Sequence, residues 1–233
     1  MKHIIFSDIH GNVEALQKML EDTAIYAPHE KKYYFCGDVI GYFYQVSESI
    51  DLLKKIDGLI SIRGNHDQMF LEMQEGKKEP EKLQLKYGKS YLSTLTQTQL
   101  EYLKSMRIGY HTMIKGKRFA FFHGTPDDYF NGRYYPDNNT PLKGIDNYDI
   151  VVLANTHYRL LKTQANKLII NPGSLGLPRD GKGFSYLIYD DCIDEFEYKT
   201  IVFNIKKLYQ AVIQSDDYSE PKNYLLRRLD EYL

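Results

Sequence analysis

The chain has 233 residues, enough to bury a hydrophobic core in one large domain or two small ones. Its 30 lysines and arginines nearly balance 31 aspartates and glutamates, and a net charge of -1 gives no global attraction to nucleic acid or anionic lipid. No apolar run approaches the ~20 residues that cross a membrane, and Asp8 interrupts the first one. We therefore expect a cytoplasmic protein without a membrane association or a stable nucleic-acid complex.

The first third of the chain alternates β-rich runs with helical patterns. The strand-like runs HIIFS, KYYFC and GLISI are separated by NVEALQKMLEDTA and VSESIDLLKKI. Apolar residues recur at helical spacing in the first of these separating segments, which indicates helices that connect parallel strands. The class is therefore α/β. Residues 67–107 are mostly helical in pattern, which predicts a small helical insertion, a candidate cap at about residues 68–108.

The second half is richer in strands and ends in two amphipathic helices, IKKLYQAVI and NYLLRRLDEYL. Its strand-like runs predict a second sheet stacked on the first: RFAFFHG, DIVVLAN, KLIINPGS, FSYLIYD and EFEYKTIVF. Because no repeat, low-complexity segment or Pro/Gly-rich linker interrupts the chain, we expect one domain over residues 1–233. Cys36 and Cys192 lie in hydrophobic strand-like segments and fit buried reduced thiols better than a disulfide.

Five of these predicted strands end in polar residues. The residues after the strands are, in chain order, DIHGN, GD, GNHD, HG and NTH, which begin at residues 8, 37, 64, 123 and 155. In open α/β sheets, ligands bind in the crevice outside the carboxyl ends of the strands, so we expect these side chains to converge. Asp8 and His10 are two positions apart, which in an extended segment places both side chains on one side.

This set of side chains predicts a metal centre. Two carboxylates, several imidazoles and one or two amides, without a thiolate, suit manganese, iron or zinc better than calcium. The carboxylate of Asp38 has two oxygens and could bridge two ions roughly 3.5 to 4 Å apart.

Each position also has a structural interpretation. Asp8 or Asn12 could cap the helix that begins near Val13, and a single strand-end histidine is more often structural than a ligand. His3, His29 and His111 lack the strand-end context and are interpreted as structural. Capping does not explain imidazoles at four strand ends, and the joint pattern therefore favours the metal centre.

The ordered set Asp8-x-His10, Gly37-Asp38, Gly64-Asn65-His66-Asp67, His123-Gly124 and Thr156-His157 resembles the calcineurin-like metallophosphoesterases. It is most similar to their small bacterial and archaeal phosphodiesterase branch, which includes dinucleoside polyphosphate hydrolase-like members and carries an NPGS segment. The resemblance implies a four-layer α/β/β/α sandwich of two stacked mixed sheets. It also implies hydrolysis of a phosphodiester or a nucleotide phosphoanhydride, with dinucleoside tetraphosphate as one candidate, by a metal-bound hydroxide.

The resemblance also assigns roles to residues. Asp8, His10 and His157 would hold the first metal, Asp38 would bridge, and Asn65 and His123 would hold the second. His66 would protonate the leaving oxygen as an imidazolium, oriented by Asp67. The family usually has histidine where this chain has Asn155, so Asn155 is either a weaker ligand of the second metal or a cap of the loop backbone. The expected ions are two divalent or mixed-valence transition metals, manganese first, with iron, zinc or nickel as alternatives.

The expected partner is a small phosphorylated substrate, and the sequence does not fix the oligomeric state. Arg179 and Arg133 could bind a phosphate, and Tyr42 could stack on a base, although for each of them the sequence favours a solvated loop residue. The alternative function is a catalytically weak or inactive protein-interaction scaffold, or a nucleotide sensor, of the same fold. His66 argues against a scaffold, which has no use for a proton donor beside the metals.

Overall fold

The computed structural model describes residues 1–233, which form two five-stranded sheets and seven α-helices. The strands are β1 (Lys2–Phe6), β2 (Lys31–Phe35), β3 (Ile60–Ser61), β4 (Gly109–Ile114), β5 (Lys117–Phe122), β6 (Ile150–Val152), β7 (Arg159–Gln164), β8 (Lys167–Pro172), β9 (Ser185–Asp190) and β10 (Glu195–Thr200). The helices are α1 (Val13–Tyr26), α2 (Val46–Lys54), α3 (Asn65–Gln74), α4 (Pro80–Tyr87), α5 (Gln97–Ser105), α6 (Ile205–Gln214) and α7 (Ser219–Asp230), with a short 3₁₀ helix at Lys89–Leu92.

The first sheet has the strand order β10-β9-β1-β2-β3, in which β1, β2 and β3 are parallel, β9 is antiparallel to β1, and β10 is antiparallel to β9. Helix α1 connects β1 to β2, and its buried positions Val13, Leu16 and Met19 repeat with the period of a helix face. Asn12 caps α1, since its side-chain oxygen accepts from the Ala15 N–H at 3.2 Å. The crossing helix therefore delivers β1 and β2 side by side, with their carboxyl ends at the same edge.

The second sheet has the order β4-β5-β6-β8-β7. Its three central strands are parallel, whereas β4 and β7 pair antiparallel at the two edges. The carboxyl ends of β5 and β6 face the same edge as those of β1 and β2, since His123 and Asp38 lie in contact across the sheets.

The two sheets pack face to face on a buried apolar layer in which the rings of Tyr34 and Phe121 stack at 4.6 Å. The helices pack on the other face of the first sheet, in the largest apolar cluster of the molecule. The outer face of the second sheet is covered by the irregular segment 123–149, which contributes Tyr134, Leu142 and Ile145. The helical cover is thus concentrated on one side of the sandwich.

The predicted fold class, two stacked mixed sheets with helices outside, is confirmed. The predicted helical insertion corresponds to α3, α4, the 3₁₀ helix and α5. One smaller prediction is wrong: both cysteines are free, but Cys192 is exposed because it lies in the turn after β9 rather than within the strand. None of the helices combines the length and the apolar character that a membrane span requires.

Candidate metal centre

The polar strand ends adopt a backbone conformation that is rare for residues with a side chain. The φ angle is positive at Asp8 (54°), His10 (51°), Asp38 (63°), Asn155 (63°) and His157 (64°). Asp, Asn and His are the residue types that enter this left-handed region most readily, and such backbone strain is concentrated at functional sites. The sequence argument placed Asp8 and His10 in an extended segment, and this was wrong. The turned backbone brings them together instead.

The loops after β1 and β2 continue the parallel pairing of their strands. The Asp8 N–H donates to the Gly37 carbonyl at 2.9 Å, and the His10 N–H donates to the Asp38 carbonyl at 3.0 Å. A Cβ on Gly64 would overlap the carboxylate of Asp38, so only glycine permits this approach. The glycine before Asn65 thus has a packing role that brings the start of α3 against Asp38.

Asp67 does not orient His66, and this part of the sequence prediction is wrong. Its two carboxylate oxygens accept four backbone N–H groups, those of Asp38 (2.9 Å), Val39 (3.0 Å), Ile40 (3.1 Å) and Gly64 (2.9 Å). As the third residue of α3, Asp67 turns its carboxylate back toward the helix N-terminus, away from the imidazole. Its structural effect is to fix the loop that carries Asp38.

The NPGS segment ties the ends of β1 and β6 together. The Asn171 amide donates to the Ala154 carbonyl at 2.9 Å, and the Ser174 hydroxyl donates to the Asp8 carbonyl at 2.8 Å. The Gly176 N–H also donates to the Asp8 carbonyl, at 2.9 Å. Because β1 belongs to the first sheet and β6 to the second, this segment sets the distance between polar loops of different sheets.

The side chains of Asp8, His10 and His157, here called the first cluster, converge in the buried interior. The Nδ1 atoms of His10 and His157 lie 2.7 Å from the Ile40 carbonyl and 2.5 Å from the Leu177 carbonyl. A carbonyl only accepts, so both Nδ1 atoms carry the proton and both Nε2 atoms present lone pairs.

These lone pairs face each other without a donor. The two Nε2 atoms are 3.1 Å apart, and His157 Nε2 is 3.3 Å from Asp8 Oδ1. Asp8 Oδ1 is buried and has no hydrogen-bond partner. An unpartnered carboxylate oxygen is costly in the interior, and three acceptors directed at one point are what a cation satisfies. The first cluster therefore fits a metal ion.

Asp38, Asn65 and His123, here called the second cluster, lie next to the first. His123 Nε2 is 2.9 Å from Asn65 Oδ1 and 3.3 Å from Asp38 Oδ2, while its Nδ1 donates to the Cys36 carbonyl at 2.8 Å. Asp38 Oδ2 is also 3.8 Å from His10 Nε2, so the Asp38 carboxylate faces both clusters. Without a cation, the contact between His123 and Asn65 requires a second proton on the imidazole.

The pKa values reflect the two environments. Burial lowers the pKa of His10 to about 3 and that of His157 well below its ordinary value, so both imidazoles are neutral. Burial also acts to lower the pKa of His123, but the Asp38 and Asp8 carboxylates outweigh it and raise that pKa to about 9. Burial raises the pKa of Asp8 to about 7. The negative potential of the carboxylates thus stabilises the doubly protonated, positively charged form of His123.

Asn155 caps the loop backbone. Its amide nitrogen donates to the carbonyls of Phe130 (3.2 Å) and Gly132 (3.0 Å), and these bonds fix the orientation of the amide. The loop cap is therefore present, but it uses only the amide nitrogen, so the role of Asn155 as a ligand of the second metal stays a prediction. The segment held in this way carries Arg133, which is exposed and adds positive charge near His66.

His66 is held by a tyrosine of the 3₁₀ helix. The Tyr91 hydroxyl lies 2.8 Å from His66 Nδ1, and both side chains are buried. Burial lowers the pKa of His66 to about 4, so the side chain is neutral at neutral pH, in contrast to the imidazolium expected from the sequence. An anionic phosphate beside it would act in the opposite direction and raise this pKa.

Arg179 and Tyr42 lie against the clusters. The Tyr42 ring meets the His10 ring edge-on at a centroid distance of 4.8 Å, and the Tyr42 hydroxyl accepts from Arg179 Nη2 at 3.3 Å. Arg179 is among the charges that lower the pKa values of His10 and His157, which places its guanidinium within electrostatic reach of the first cluster. Both residues are therefore located where a bound anion could meet them.

Several residues that position the site were not predicted from the sequence. Tyr91 had no distinguishing signal among 21 tyrosines. Asn171 and Ser174 were recognised only as parts of a motif, and their hydrogen bonds to distant loops could not be read from the chain.

A comparison with protein families decides the classification of this fold. The family model of the calcineurin-like phosphoesterase superfamily domain matches residues 1–192. The chain belongs to this superfamily. The resemblance inferred from the strand-end motifs is thereby confirmed. Membership of this phosphoesterase superfamily implies a site for divalent metal ions.

The chain is similar to other proteins over nearly its whole length. Uncharacterized protein MJ0912 of Methanocaldococcus jannaschii is 29% identical, with 91% of each chain covered. The crystal structure of a metallophosphoesterase from Sphaerobacter thermophilus superposes with a TM-score of 0.80 at 22% identity, covering 99% of this chain and 98% of that one. Hypothetical protein PH1004 from Pyrococcus horikoshii OT3 also has a TM-score of 0.80, at 20% identity, covering 96% and 97%. The similarity thus extends beyond the matched residues to both C-terminal helices.

Proposed function

We propose that the chain is a dinuclear metal-dependent phosphoesterase that hydrolyses a phosphodiester or a nucleotide phosphoanhydride. The observation that carries the proposal is the convergence of Asp8 Oδ1 with the Nε2 atoms of His10 and His157, three buried acceptors without a donor. The first cluster would hold one ion, the second cluster the other, and Asp38 would contact both. Manganese is the first candidate because the donors are oxygen and imidazole nitrogen.

Two such ions, when bound, would neutralise the phosphate and lower the pKa of a water for attack. Other residues of the chain would position the ligands of these ions. Asp67 fixes the loop that presents Asp38, and the carbonyls of Ile40 and Leu177 fix the tautomer of the two histidines. This support keeps the ligands in place before substrate arrives, which is the main requirement of phosphoryl transfer.

His66 would interact with the leaving-group oxygen. It follows Asn65 at the start of α3, and its ring lies 5.0 Å from the His10 ring, so it borders the metal ligands. The Tyr91 hydroxyl fixes Nδ1 and leaves Nε2 for the substrate. A phosphate bound beside His66 would raise its pKa toward the range in which it can donate a proton.

Arg179 would bind a non-bridging phosphate oxygen. Its guanidinium has one side-chain hydrogen bond, the 3.3 Å contact to Tyr42, and its Nε is buried without a partner. Free guanidinium donors next to a metal centre match the geometry of phosphate oxygens. Arg133 and Tyr42 are the further candidates for phosphate and base contacts.

The decisive experiment measures hydrolysis of bis(p-nitrophenyl) phosphate by metal-stripped protein titrated with manganese. We expect manganese-dependent turnover that falls at least about 100-fold in Asp38→Asn and in His66→Ala. Asp149→Asn is the matched control, because Asp149 lies at the opposite end of β6 and pairs with Arg118 on the surface. Absence of turnover in the wild-type protein with manganese, iron, zinc or nickel would overturn the proposal and favour a scaffold or nucleotide sensor.

A further inference from the structure

Helix α7 places a tyrosine among arginines beside the candidate metal centre. The centroid of the Tyr224 ring is 6.0 Å from the guanidinium carbon of Arg179 and 5.6 Å from that of Arg228. The guanidinium carbon of Arg227, an exposed residue, is 5.9 Å from the same centroid. Guanidinium groups are attracted to an aromatic face, so the ring holds three cations close to one another that would otherwise repel.

The cluster is continuous with the metal centre. The Tyr224 ring lies 5.6 Å from the Tyr42 ring, and Tyr42 in turn contacts His10 at 4.8 Å. Arg179 reaches the same tyrosine through its 3.3 Å hydrogen bond. Arg179 is therefore next to the metal ligands, and Arg228 is one step further out.

The positive charge of this cluster is only partly compensated. The Nε atoms of Arg179 and Arg228 are both buried without a hydrogen-bond partner. Arg228 has one carboxylate partner, Glu231 at 2.8 Å, and the neighbouring Asp180 is taken by Arg159 at 2.9 Å. Buried donors without acceptors are costly, and an anionic ligand with several oxygens would satisfy them.

We propose that Arg179, Tyr224 and Arg228 form a subsite for the phosphate adjacent to the reactive one, so that the substrate contains a phosphoanhydride. This inference rests on the proposed phosphoesterase function of the metal centre. Adjacent phosphates in an anhydride share one bridging oxygen, so the second phosphate lies immediately outside the first. Arg228 shares the Tyr224 ring with Arg179 and would contact this second phosphate by exchanging its ion pair with Glu231 for phosphate oxygens.

The test compares the binding of pyrophosphate and of orthophosphate to the manganese-loaded protein, measured by calorimetry. Arg228→Gln should lose at least about 10-fold in affinity for pyrophosphate and much less for orthophosphate, which the inner groups hold. Arg118→Gln is the matched control: Arg118 also pairs with one carboxylate, that of Asp149, and lies at the amino end of β5, opposite the site, so both affinities should stay within about twofold of wild type. All variants see the same free manganese, so chelation by pyrophosphate cancels in the comparison.

Equal losses for the two anions, or no loss in Arg228→Gln, would overturn the subsite. If Arg228→Gln fails to fold, Arg228→Lys replaces it: lysine keeps the charge but loses the bidentate fork, and a loss confined to pyrophosphate is again expected. ADP in place of pyrophosphate tests the source of the anhydride. Loss in Arg228→Gln for both ligands supports the subsite, and retention of ADP binding contradicts it.

The two proposals fail in different ways. A wild-type protein that prefers pyrophosphate over orthophosphate but hydrolyses no phosphoester would refute the phosphoesterase function alone. A protein that hydrolyses bis(p-nitrophenyl) phosphate but shows no such preference would refute the subsite alone.

Discussion

Backbone carbonyls fix the imidazoles of both the first and the second cluster, but the two clusters differ in their other side chains. In the first cluster, backbone carbonyls fix both imidazoles, and the remaining acceptors point at one position. In the second cluster, His123 is the single imidazole and Asn65 supplies an amide oxygen, whereas Asn155, which lies outside the cluster, donates its amide N–H groups to a loop.

The first cluster thus offers a cation two imidazoles and a carboxylate, whereas the second offers one imidazole, one carboxylate and an amide. Imidazole and carboxylate are stronger donors than amide oxygen for first-row transition metals. We therefore expect the two clusters to bind metal with unequal affinity, tightly at the first and weakly at the second.

Removing one imidazole from each cluster gives the largest expected effect. His10→Ala should weaken binding of the first manganese equivalent at least about 100-fold, because it removes a preoriented ligand. His123→Ala should leave the first equivalent nearly unchanged and abolish the second. Calorimetric titration with manganese, supported by elemental analysis of the dialysed protein, measures both.

The exposed His111 provides the control, since His111→Ala should leave both equivalents unchanged. Equal weakening of both equivalents by His10→Ala and by His123→Ala would show that the two clusters act as one undivided site, and the comparison would fail.

Asn155→His should make the clusters more alike. An imidazole at this position should raise the affinity for the second manganese equivalent by about 10-fold. The same change removes the hydrogen bonds to the carbonyls of Phe130 and Gly132, so backbone amides in residues 126–135 should exchange faster with deuterium. Metal titration and hydrogen-exchange mass spectrometry measure the two effects.

Asn155→Leu separates these effects, because leucine removes the loop bonds without supplying a ligand. It should accelerate exchange and leave metal affinity at or below that of wild type. A gain in affinity with leucine would mean that loop release, rather than the imidazole, strengthens the second cluster.

Tyr91→Phe should have the smallest effect, because Tyr91 acts through His66. Loss of the hydroxyl should lower kcat by about 10-fold with KM nearly unchanged, and more for poor leaving groups than for p-nitrophenolate. Steady-state kinetics on aryl phosphodiesters of increasing leaving-group pKa measures this. Tyr102→Phe is the matched control, since the Tyr102 hydroxyl bonds to Ser61 and not to the site. A Tyr91→Phe effect independent of the leaving group would assign Tyr91 to folding alone.

The sequence predicted the residues of the site better than their partners. Asp8, Asp38 and His157 could be found because strand ends are local features, and the fold brings strand ends to one edge. The partners of Asp67 and Asn155 could not be found, because each bonds to backbone groups of a distant loop. Sequence patterns indicate which residues follow a strand, whereas the loops of other strands determine the hydrogen-bond partners of those residues.

The elements that escaped prediction are two edge strands. In β4 only Ile114 is buried, and in β7 only Leu160 is buried, so neither has the apolar run by which the central strands were recognised. Edge strands expose one side and carry polar residues there, which weakens their hydrophobic pattern.

The candidate ligands come from both sheets: Asp8 and His10 follow β1 of the first sheet, whereas His123 and His157 follow β5 and β6 of the second. A cation held between them is a cross-link across the sandwich, which adds its binding free energy to the apolar layer between the sheets. By thermodynamic linkage, a substitution that loosens this layer, such as one at Phe121, would lower the apparent metal affinity to the extent that it depopulates the folded state. A metal ion bound between the sheets would thus couple the stability of the sandwich to the concentration of free metal.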